Sequence, residues 1–230
     1  MPPEVPAATS IAWVTGITGY WGRNVALCLL RRGWQVVGIS RSQPQELENW
    51  ATAQGKKLVW YRLDLASSNW DPPPGSPQAI FHCAALFEQD LAVMMQVNVL
   101  GPIQLIEQGI QTMSKSAPHR SGAEGRIGVF LGQNGRIGLP GLGEFSATQA
   151  ALWTWAEARS RSLVGSPLSL SLVFPPRAPS GLQAQLAGQL SRPPKIRKRP
   201  QADPLVKGVL AGQRRVGRWP WLAGVSTLLW

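Results

Sequence analysis

Three glycines, Gly16, Gly19 and Gly22, have the spacing of a phosphate-binding turn, the chemistry that this chain most directly predicts. They follow an apolar run, Ile11–Val14, and precede a segment with helical composition, Arg23–Arg32. Between a strand and a helix, the first glycine permits a tight turn, the second lets the backbone approach a pyrophosphate, and the third allows close helix packing. The helix N-terminus adds free N–H groups and a positive dipole end. We therefore predict a dinucleotide-binding turn. The other loop residues assigned to it are Ile17, Thr18, Tyr20 and Trp21.

The end of the next apolar segment, Gln35–Ser40, indicates which dinucleotide would bind. An NAD site places an acidic residue there to hold the ribose 2′-OH. This chain has no acid at that point. Arg41 would offer a cation to a 2′-phosphate, and Ser40 and Ser42 would offer hydroxyl donors. These residues favour NADP(H) over NAD(H), while a solvated loop arginine stays open as the alternative.

Short apolar segments alternate with helical segments along most of the chain. The predicted strands are Ile11–Val14, Gln35–Ser40, Lys57–Leu63, Ala79–Cys83, Arg126–Leu131 and Leu168–Phe174. The predicted helices are Arg23–Arg32, Pro44–Gln54, Leu91–Met113 and Phe145–Leu163. This alternation is typical of a buried parallel sheet with helices on both faces. We predict a single Rossmann-type, doubly wound α/β domain over residues 10–218, with a parallel sheet of about seven strands and a flexible tail at residues 1–9.

Positive charge is concentrated in the last quarter of the chain. The net charge of the 230 residues is +11. Residues 1–175 contribute +2 and residues 176–230 contribute +9. Five cations lie in Ser191–Pro200, within a predicted basic lid at 176–203, and residues 219–230 form an apolar tail with three Trp. Such a region could attract an acidic protein or an anionic membrane surface. The alternative is a solvated lid and a tail packed on the domain itself. Nucleic acid binding is not expected, because the cations are not interleaved with aromatic residues.

Cysteine and histidine usage predicts no metal site. The two cysteines, Cys28 and Cys83, lie in apolar contexts and are expected to be buried free thiols. Together with two distant histidines, His82 and His119, they do not have the spacing of zinc ligands. No secretory signal pattern and no apolar run of about 18 residues is present, so we expect a soluble, cytoplasmic protein.

Further motifs, in order, resemble those of the short-chain dehydrogenase/reductase family from Ile11 to Arg215. They are Asp64-Leu65, His82-Cys83-Ala84-Ala85, Gln96–Gly101, Leu139–Leu142, Phe145–Leu152, and Pro175 with Ser180. The resemblance implies that Asp64 and Leu65 contact adenine, that Ala84 and Ala85 wall the adenine and ribose, and that Pro175 lies beside the nicotinamide. It also implies a late helix at Pro204–Ala211, a last strand at Arg214–Val216, and a homodimer through two of the helices.

The resemblance also locates the family's catalytic positions, and most of them are substituted. Active members use a Tyr as proton donor, a Lys four residues later, a Ser that orients the substrate, and an Asn in the central helix. The matching residues here are Phe145, Gln149, Gly132 and Asn98. Only Asn98 is retained. Phenylalanine has no proton to exchange, glutamine has no charge to lower a neighbour's pKa, and glycine has no hydroxyl.

A shifted alignment does not recover the missing pair. Neither of the two tyrosines, Tyr20 and Tyr61, is followed by Lys at the fourth residue. Gln133 and Asn134 could take the role of the Ser without supplying a proton, and Glu144 stays open as a replacement acid. The sequence thus predicts an NADP(H)-binding, catalytically impaired scaffold, assembly or regulatory subunit. Two alternatives remain: an active NADPH-dependent oxidoreductase with a non-standard proton donor, and a structural subunit that binds no cofactor.

Overall fold

A parallel sheet with helices on both faces forms the framework of the protein. The computed structural model describes residues 10–88, 90–116, 125–138, 140–176 and 201–217. The strands are β1 (Ile11–Thr15), β2 (Gln35–Ser40), β3 (Leu58–Arg62), β4 (Ala79–His82), β5 (Gly125–Phe130), β6 (Leu168–Phe174) and β7 (Arg215–Gly217). The helices are α1 (Tyr20–Arg31), α2 (Gln45–Ala53), α3 (Leu91–Met95), α4 (Gly101–Ser116), α5 (Gly143–Ser162) and α6 (Asp203–Leu210). The seven strands pair in parallel in the order β3-β2-β1-β4-β5-β6-β7.

Hydrophobic cores lie on both faces of this sheet. On one face, Val14 of β1 and Phe81 of β4 pack in a core with residues of α1, α2 and α6. On the other face, Trp13 of β1 packs in a core with residues of α4 and α5. Alternate residues of each strand point to opposite faces, so a strand covered on both sides must be apolar throughout. The structure confirms the prediction of a seven-stranded Rossmann-type sheet.

The first helix begins earlier than predicted. It starts at Tyr20 instead of Arg23, because the N–H of Arg23 already donates to the carbonyl of Gly19 at 3.0 Å. Gly19 is the N-cap and has an extended backbone. Tyr20, Trp21 and Gly22 therefore form the first helical turn and do not belong to the loop.

The predicted central helix is divided into three parts. α3 ends at Met95, a π-helical turn covers Gln96–Leu100, and α4 begins at Gly101. The carboxylate of Asp90 caps α3 by accepting from the backbone N–H groups of Ala92 and Val93. A π-helical turn holds an extra residue, so it shifts the faces of the following helix.

Several predicted segments lie outside the described residues. These are the tail at 1–9, most of the basic lid at 176–203 including Ser180, Leu139 of the predicted active-site loop, and the Trp-rich tail at 219–230. Within the portion that is described, no helix combines the length and apolarity that crossing a bilayer requires.

Candidate functional site

The glycine turn packs so tightly that side chains are excluded at two of its positions. Gly16 has a φ of +64°, and a Cβ added there would lie 2.8 Å from the Cα of Ala84. A Cβ on Gly22 would overlap the carbonyl oxygen of Gly16. The N–H of Gly19 donates to that same carbonyl at 2.8 Å. The turn is thereby held against both the start of α1 and the loop after β4.

Two buried polar residues, Thr15 and His82, lie next to the glycine turn at the ends of β1 and β4. The hydroxyl oxygen of Thr15 accepts from the backbone N–H groups of Cys83 at 3.1 Å and Ala84 at 3.2 Å, and lies 2.8 Å from Nδ1 of His82. Since both lone pairs of the hydroxyl are occupied, its proton donates to Nδ1 and the ring proton resides on Nε2. His82 is fully buried, and this burial lowers its pKa to about 4. The imidazole is therefore neutral at physiological pH.

A cleft of about 200 Å³ opens at the carboxyl ends of β1 to β4. Its lining includes the backbone of the glycine turn, and it also takes in the loops after β2, β3 and β4. The lining residues are Thr15, Gly16, Thr18, Gly19, Ile39, Ser40, Arg41, Ser42, Leu63, Asp64, Leu65, Cys83, Ala84, Ala85, Leu86 and Val97. The structure thus brings most of the predicted cofactor residues together. Cys83, predicted to be a buried free thiol, is a half-buried free thiol in this lining, whereas Cys28 is buried as expected.

Five residues assigned to cofactor binding are not among those lining residues. The side chain of Ile17 is fully buried and fills the space above Gly38. The phenolic O–H of Tyr20 donates to the side-chain oxygen of Gln201. The last three are Trp21, Gly22 and Pro175. Trp21 packs on Phe130, and Gly22 packs on the turn. Pro175 follows β6 and is half-buried. The side chains of Ile17 and Tyr20 are thus used in packing and internal hydrogen bonding.

The end of β2 presents one cation to the cleft. Arg41 and Ser42 are both exposed there. The hydroxyl of Ser40 donates to the carbonyl of Ser42 at 2.7 Å and accepts from Nε1 of Trp60 at 3.2 Å. The hydroxyl of Ser40 is thus engaged two residues along the chain, and its assignment as a phosphate donor stays a prediction. Arg41 remains the phosphate-binding candidate at this strand end.

The four predicted catalytic positions meet where α5 crosses the π-helical turn and the end of β5. The side-chain oxygen of Gln149 accepts from the backbone N–H of Gly132 at 2.9 Å. Nδ2 of Asn98 donates to the hydroxyl of Thr148 at 3.2 Å, and that hydroxyl donates to the carbonyl of Phe145 at 2.8 Å. The structure thus places the four matched positions near one another, and their catalytic roles stay predictions.

Comparisons with known proteins agree with this geometry. Residues 12–114 match the model of the NAD dependent epimerase/dehydratase family. A curated relative from Synechocystis sp. (strain ATCC 27184 / PCC 6803 / Kazusa), named "Putative dihydroflavonol 4-reductase", is 33% identical over 94 residues. That match covers 39% of this chain and only 26% of the relative.

Solved structures match over a larger part of the chain. A short chain dehydrogenase from Salmonella enterica subsp. enterica serovar Typhi str. CT18 superposes with a TM-score of 0.73 and 20% identity, covering 90% of this chain and 93% of that one. This chain has a short-chain dehydrogenase fold. A 3-oxoacyl (acyl-carrier-protein) reductase from Agrobacterium tumefaciens C58, with NADP bound, has a TM-score of 0.62 and 18% identity, covering 72% and 69%. At 20% identity or less, these matches show a shared fold.

Asn98 has a positioning role in this short-chain dehydrogenase fold. Its side-chain oxygen accepts from the N–H of Leu86 at 2.6 Å, and its Nδ2 donates to the carbonyl of Leu86 at 2.7 Å. Leu86 belongs to the loop after β4 that lines the cleft. The amide of Asn98 therefore fixes the cleft wall.

The proton-transfer position is occupied by an aromatic pair. Phe145 is buried, and its ring packs edge-on against Phe87 with the centroids 5.7 Å apart. Glu144 is exposed in the first turn of α5, where a carboxylate interacts favourably with the helix dipole. Phe145, Gln149 and Gly132 contain no side-chain group that exchanges a proton, and none of the three lines the cleft.

Asn134, named from the sequence as a possible replacement for the Ser, lies against Gly132 in the structure. A Cβ added to Gly132 would overlap the side-chain oxygen of Asn134. The amide of Asn134 thus fills the space that a side chain at position 132 would occupy. Its Nδ2 is buried with no hydrogen-bond partner among the described residues.

Proposed function

We propose that this protein binds NADP(H) in a short-chain dehydrogenase fold and acts as a scaffold, assembly or regulatory subunit with impaired catalysis. The observation that carries the proposal is the hydrogen bond from Gly132 to Gln149 beside the buried ring of Phe145. In this arrangement, neutral groups that satisfy one another stand where a phenol and an ammonium would be needed.

The cleft suits the cofactor on structural grounds. A Cβ would fill the cradle at Gly16 or at Gly22, and the N-terminus of α1 offers phosphate-binding N–H groups. Ile39 and Leu63, both buried, would contact the adenine, and Arg41 would pair with a 2′-phosphate. A bound nicotinamide would supply a hydride. The residues lining the cleft would bind the adenosine phosphate part of the cofactor. The proton that a carbonyl reduction needs would have no donor among Phe145, Gln149 and Gly132.

The size of the expected loss supports impaired catalysis. A general acid–base group typically contributes about 10²–10⁴-fold to a reaction rate. Here the donor, the group that lowers its pKa and the orienting hydroxyl are all absent at the matched positions. An active NADPH-dependent oxidoreductase is the second candidate. It is favoured by Glu144, a carboxyl adjacent in sequence to Phe145 and exposed at the start of α5.

Restoring the missing groups tests the proposal. The variant would combine Phe145→Tyr, Gln149→Lys and Gly132→Ser, with Asn134→Gly to make room for the serine. With NADPH and a panel of aldehydes and ketones, we expect background turnover from the native chain and at least 100-fold more from the variant. A matched control, Phe145→Tyr with Gln149→Met, should stay near background because no ammonium lowers the pKa of the tyrosine.

Robust turnover by the native chain would contradict impaired catalysis. In that case, Glu144→Gln decides whether the second candidate is correct, because it removes the carboxyl proton while keeping the shape. Loss of turnover in Glu144→Gln would assign the acid role to Glu144.

The C-terminal charge supports a partner with negative charge. Ten Lys and Arg against one Asp lie in residues 176–230. We propose that this region contacts an acidic protein or an anionic membrane surface from the cytoplasm, and that a homodimer is the unit that binds. Co-sedimentation with anionic or neutral vesicles, beside pull-down on an acidic peptide resin, would separate the two surfaces. Binding should weaken steeply between about 50 and 200 mM salt, because exposed charges are screened.

A further inference from the structure

The cleft is confined to one half of the expected cofactor path. Its lining comes from the ends of β1, β2 and β3, the loop after β4, and Val97 of the π-helical turn. Among the described residues, the lining includes none from β5, α5 or β6. Its volume of about 200 Å³ is below the roughly 300–1,000 Å³ of sites that enclose drug-sized ligands. The described cleft therefore has room for part of a dinucleotide.

Trp21 and Phe130 form an aromatic pair beside the start of α1, and neither ring lines the cleft. Trp21 is in the first turn of α1, next to the N–H groups expected to hold the phosphates. Its ring centroid is 6.1 Å from that of Phe130, the last residue of β5. β5 is two strands away from β1 in the sheet order. The indole thus extends from the phosphate position across the end of β4, in the direction that the second half of a dinucleotide would follow.

The residues at the matched catalytic positions also contact one another. Phe145 and Phe87 pack edge-on, and Gln149 is 4% exposed with its oxygen bonded to Gly132. The Asn134 amide occupies the adjacent space. The oxygen of Gln149 is already engaged, and none of these residues lines the cleft in which an adenosine phosphate would lie.

We infer that the cleft recognises the adenylate half of NADP(H), as a 2′-phosphorylated adenosine 5′-phosphate, and that the nicotinamide half contributes no affinity. The inference rests on the proposed function, because it takes NADP(H) binding as given. It has a direct consequence for regulation. The oxidised and reduced cofactors differ only in the nicotinamide ring, so the protein would respond to the amount of NADP(H) and not to its redox state.

Isothermal titration of the full-length chain compares four probes: NADP⁺, NADPH, adenosine 2′,5′-bisphosphate and nicotinamide mononucleotide. We expect dissociation constants within about threefold of one another for the first three, and no binding of the last. An NADP⁺ affinity at least tenfold above that of the bisphosphate would overturn the inference and leave the proposed function intact. Absence of binding by both NADP⁺ and the bisphosphate would overturn the proposed function itself.

Saturation-transfer NMR on NADP⁺ gives a second readout that needs no variant. The adenine H2 and H8 protons should receive strong transfer from the protein, and the nicotinamide H2 and H4 protons less than about a quarter of it. Equal transfer to both rings would show that the nicotinamide is enclosed, which contradicts the inference.

Trp21→Ile tests the role of the aromatic pair. Removing the indole should open the path to β5, so NADP⁺ should bind at least threefold more tightly than to the native chain, with the bisphosphate unchanged. Trp50→Ile is the matched control, because Trp50 lies on α2 beneath Arg31 and does not line the cleft. Unchanged NADP⁺ affinity in a folded Trp21→Ile variant would show that Trp21 does not close the path.

Discussion

Burial of His82 makes the free energy of unfolding depend on pH. The ring is fully buried, and burial lowers its pKa from 6.5 to about 4. Between these values the unfolded chain binds the extra proton and the folded chain does not. The contribution of neutral His82 to the free energy of unfolding is thus fully present above about pH 6.5. It is lost as the pH falls towards about 4, and the loss amounts to at most about 3 kcal/mol.

We therefore expect His82→Asn to show a smaller fall in the free energy of unfolding between pH 7 and pH 4.5 than the native chain does. Urea denaturation at several pH values measures both curves. Comparing the variant with the native chain removes the contribution of other titrating groups. Parallel curves would show that His82 does not titrate as its burial implies.

Arg41 should decide between the two dinucleotides. A hydrogen bond to a charged group contributes about 1.5–3 kcal/mol, so Arg41→Gln should weaken NADP⁺ binding about tenfold or more while leaving NAD⁺ binding unchanged. Arg62→Gln is a matched control, because Arg62 is also exposed at a strand end but does not line the cleft. Isothermal titration measures the effect. Equal losses for the two cofactors would mean that Arg41 does not contact the 2′-phosphate.

At single residues, sequence patterns predicted which residues are site candidates and roughly where they lie. They did not predict the hydrogen-bond partners of those residues. The absence of an acid after β2 was enough to single out Arg41 as a candidate. The commitment of Ser40 to Ser42 depends on local backbone geometry, and the contact of Gln149 with Gly132 joins residues from different elements. No periodic pattern carries such information, because many side-chain conformers are compatible with the same sequence.

At the scale of elements, the turn and the start of α1 depend on glycines in different ways. A Cβ on Gly22 would overlap backbone atoms, whereas a Cβ on Gly19 would meet only the carbonyl oxygen of Gly16, at 3.2 Å. Gly22→Ala should therefore lower the melting temperature strongly and abolish NADP⁺ binding. Gly19→Ala should lower the melting temperature less, because a single backbone oxygen has to shift by a few tenths of an ångström. It should also weaken binding, because Gly19 lines the cleft.

Thermal unfolding and isothermal titration on the two variants separate folding from binding. Gly143→Ala is a control for the substitution itself, because no atom lies within 4 Å of its added Cβ. If Gly19→Ala bound NADP⁺ as the native chain does, the phosphates could not lie against the turn.

Helices and strands were predictable where the pattern is regular. β2 and β6 match their predicted bounds because each is a short apolar run flanked by polar or turn residues. The π-helical turn at Gln96–Leu100 was not predictable, since apolar spacing over Leu91–Met113 fits an uninterrupted α-helix equally well. The early start of α1 at Tyr20 depends on one backbone hydrogen bond to Gly19.

For the whole molecule, cofactor binding should appear as added stability. A ligand present at 100 times its dissociation constant stabilises the native state by about 2.7 kcal/mol. For a chain of this size, that corresponds to a rise in melting temperature of about 5–10 °C. Differential scanning fluorimetry with NADP⁺ measures the shift. A melting temperature that does not change at millimolar NADP⁺ would favour the structural subunit that binds no cofactor.

β1 is an inner strand of the sheet, and this position affects strand pairing while the chain is being synthesised. β1 pairs with β2 on one side, but its other neighbour, β4, is not synthesised until residues 79–82. Until then, a nascent β1–β2–β3 unit exposes an unpaired apolar edge, and such edges associate with other chains. Slower translation after residue 62 would prolong that exposure, so soluble yield should depend on codon choice between β3 and β4.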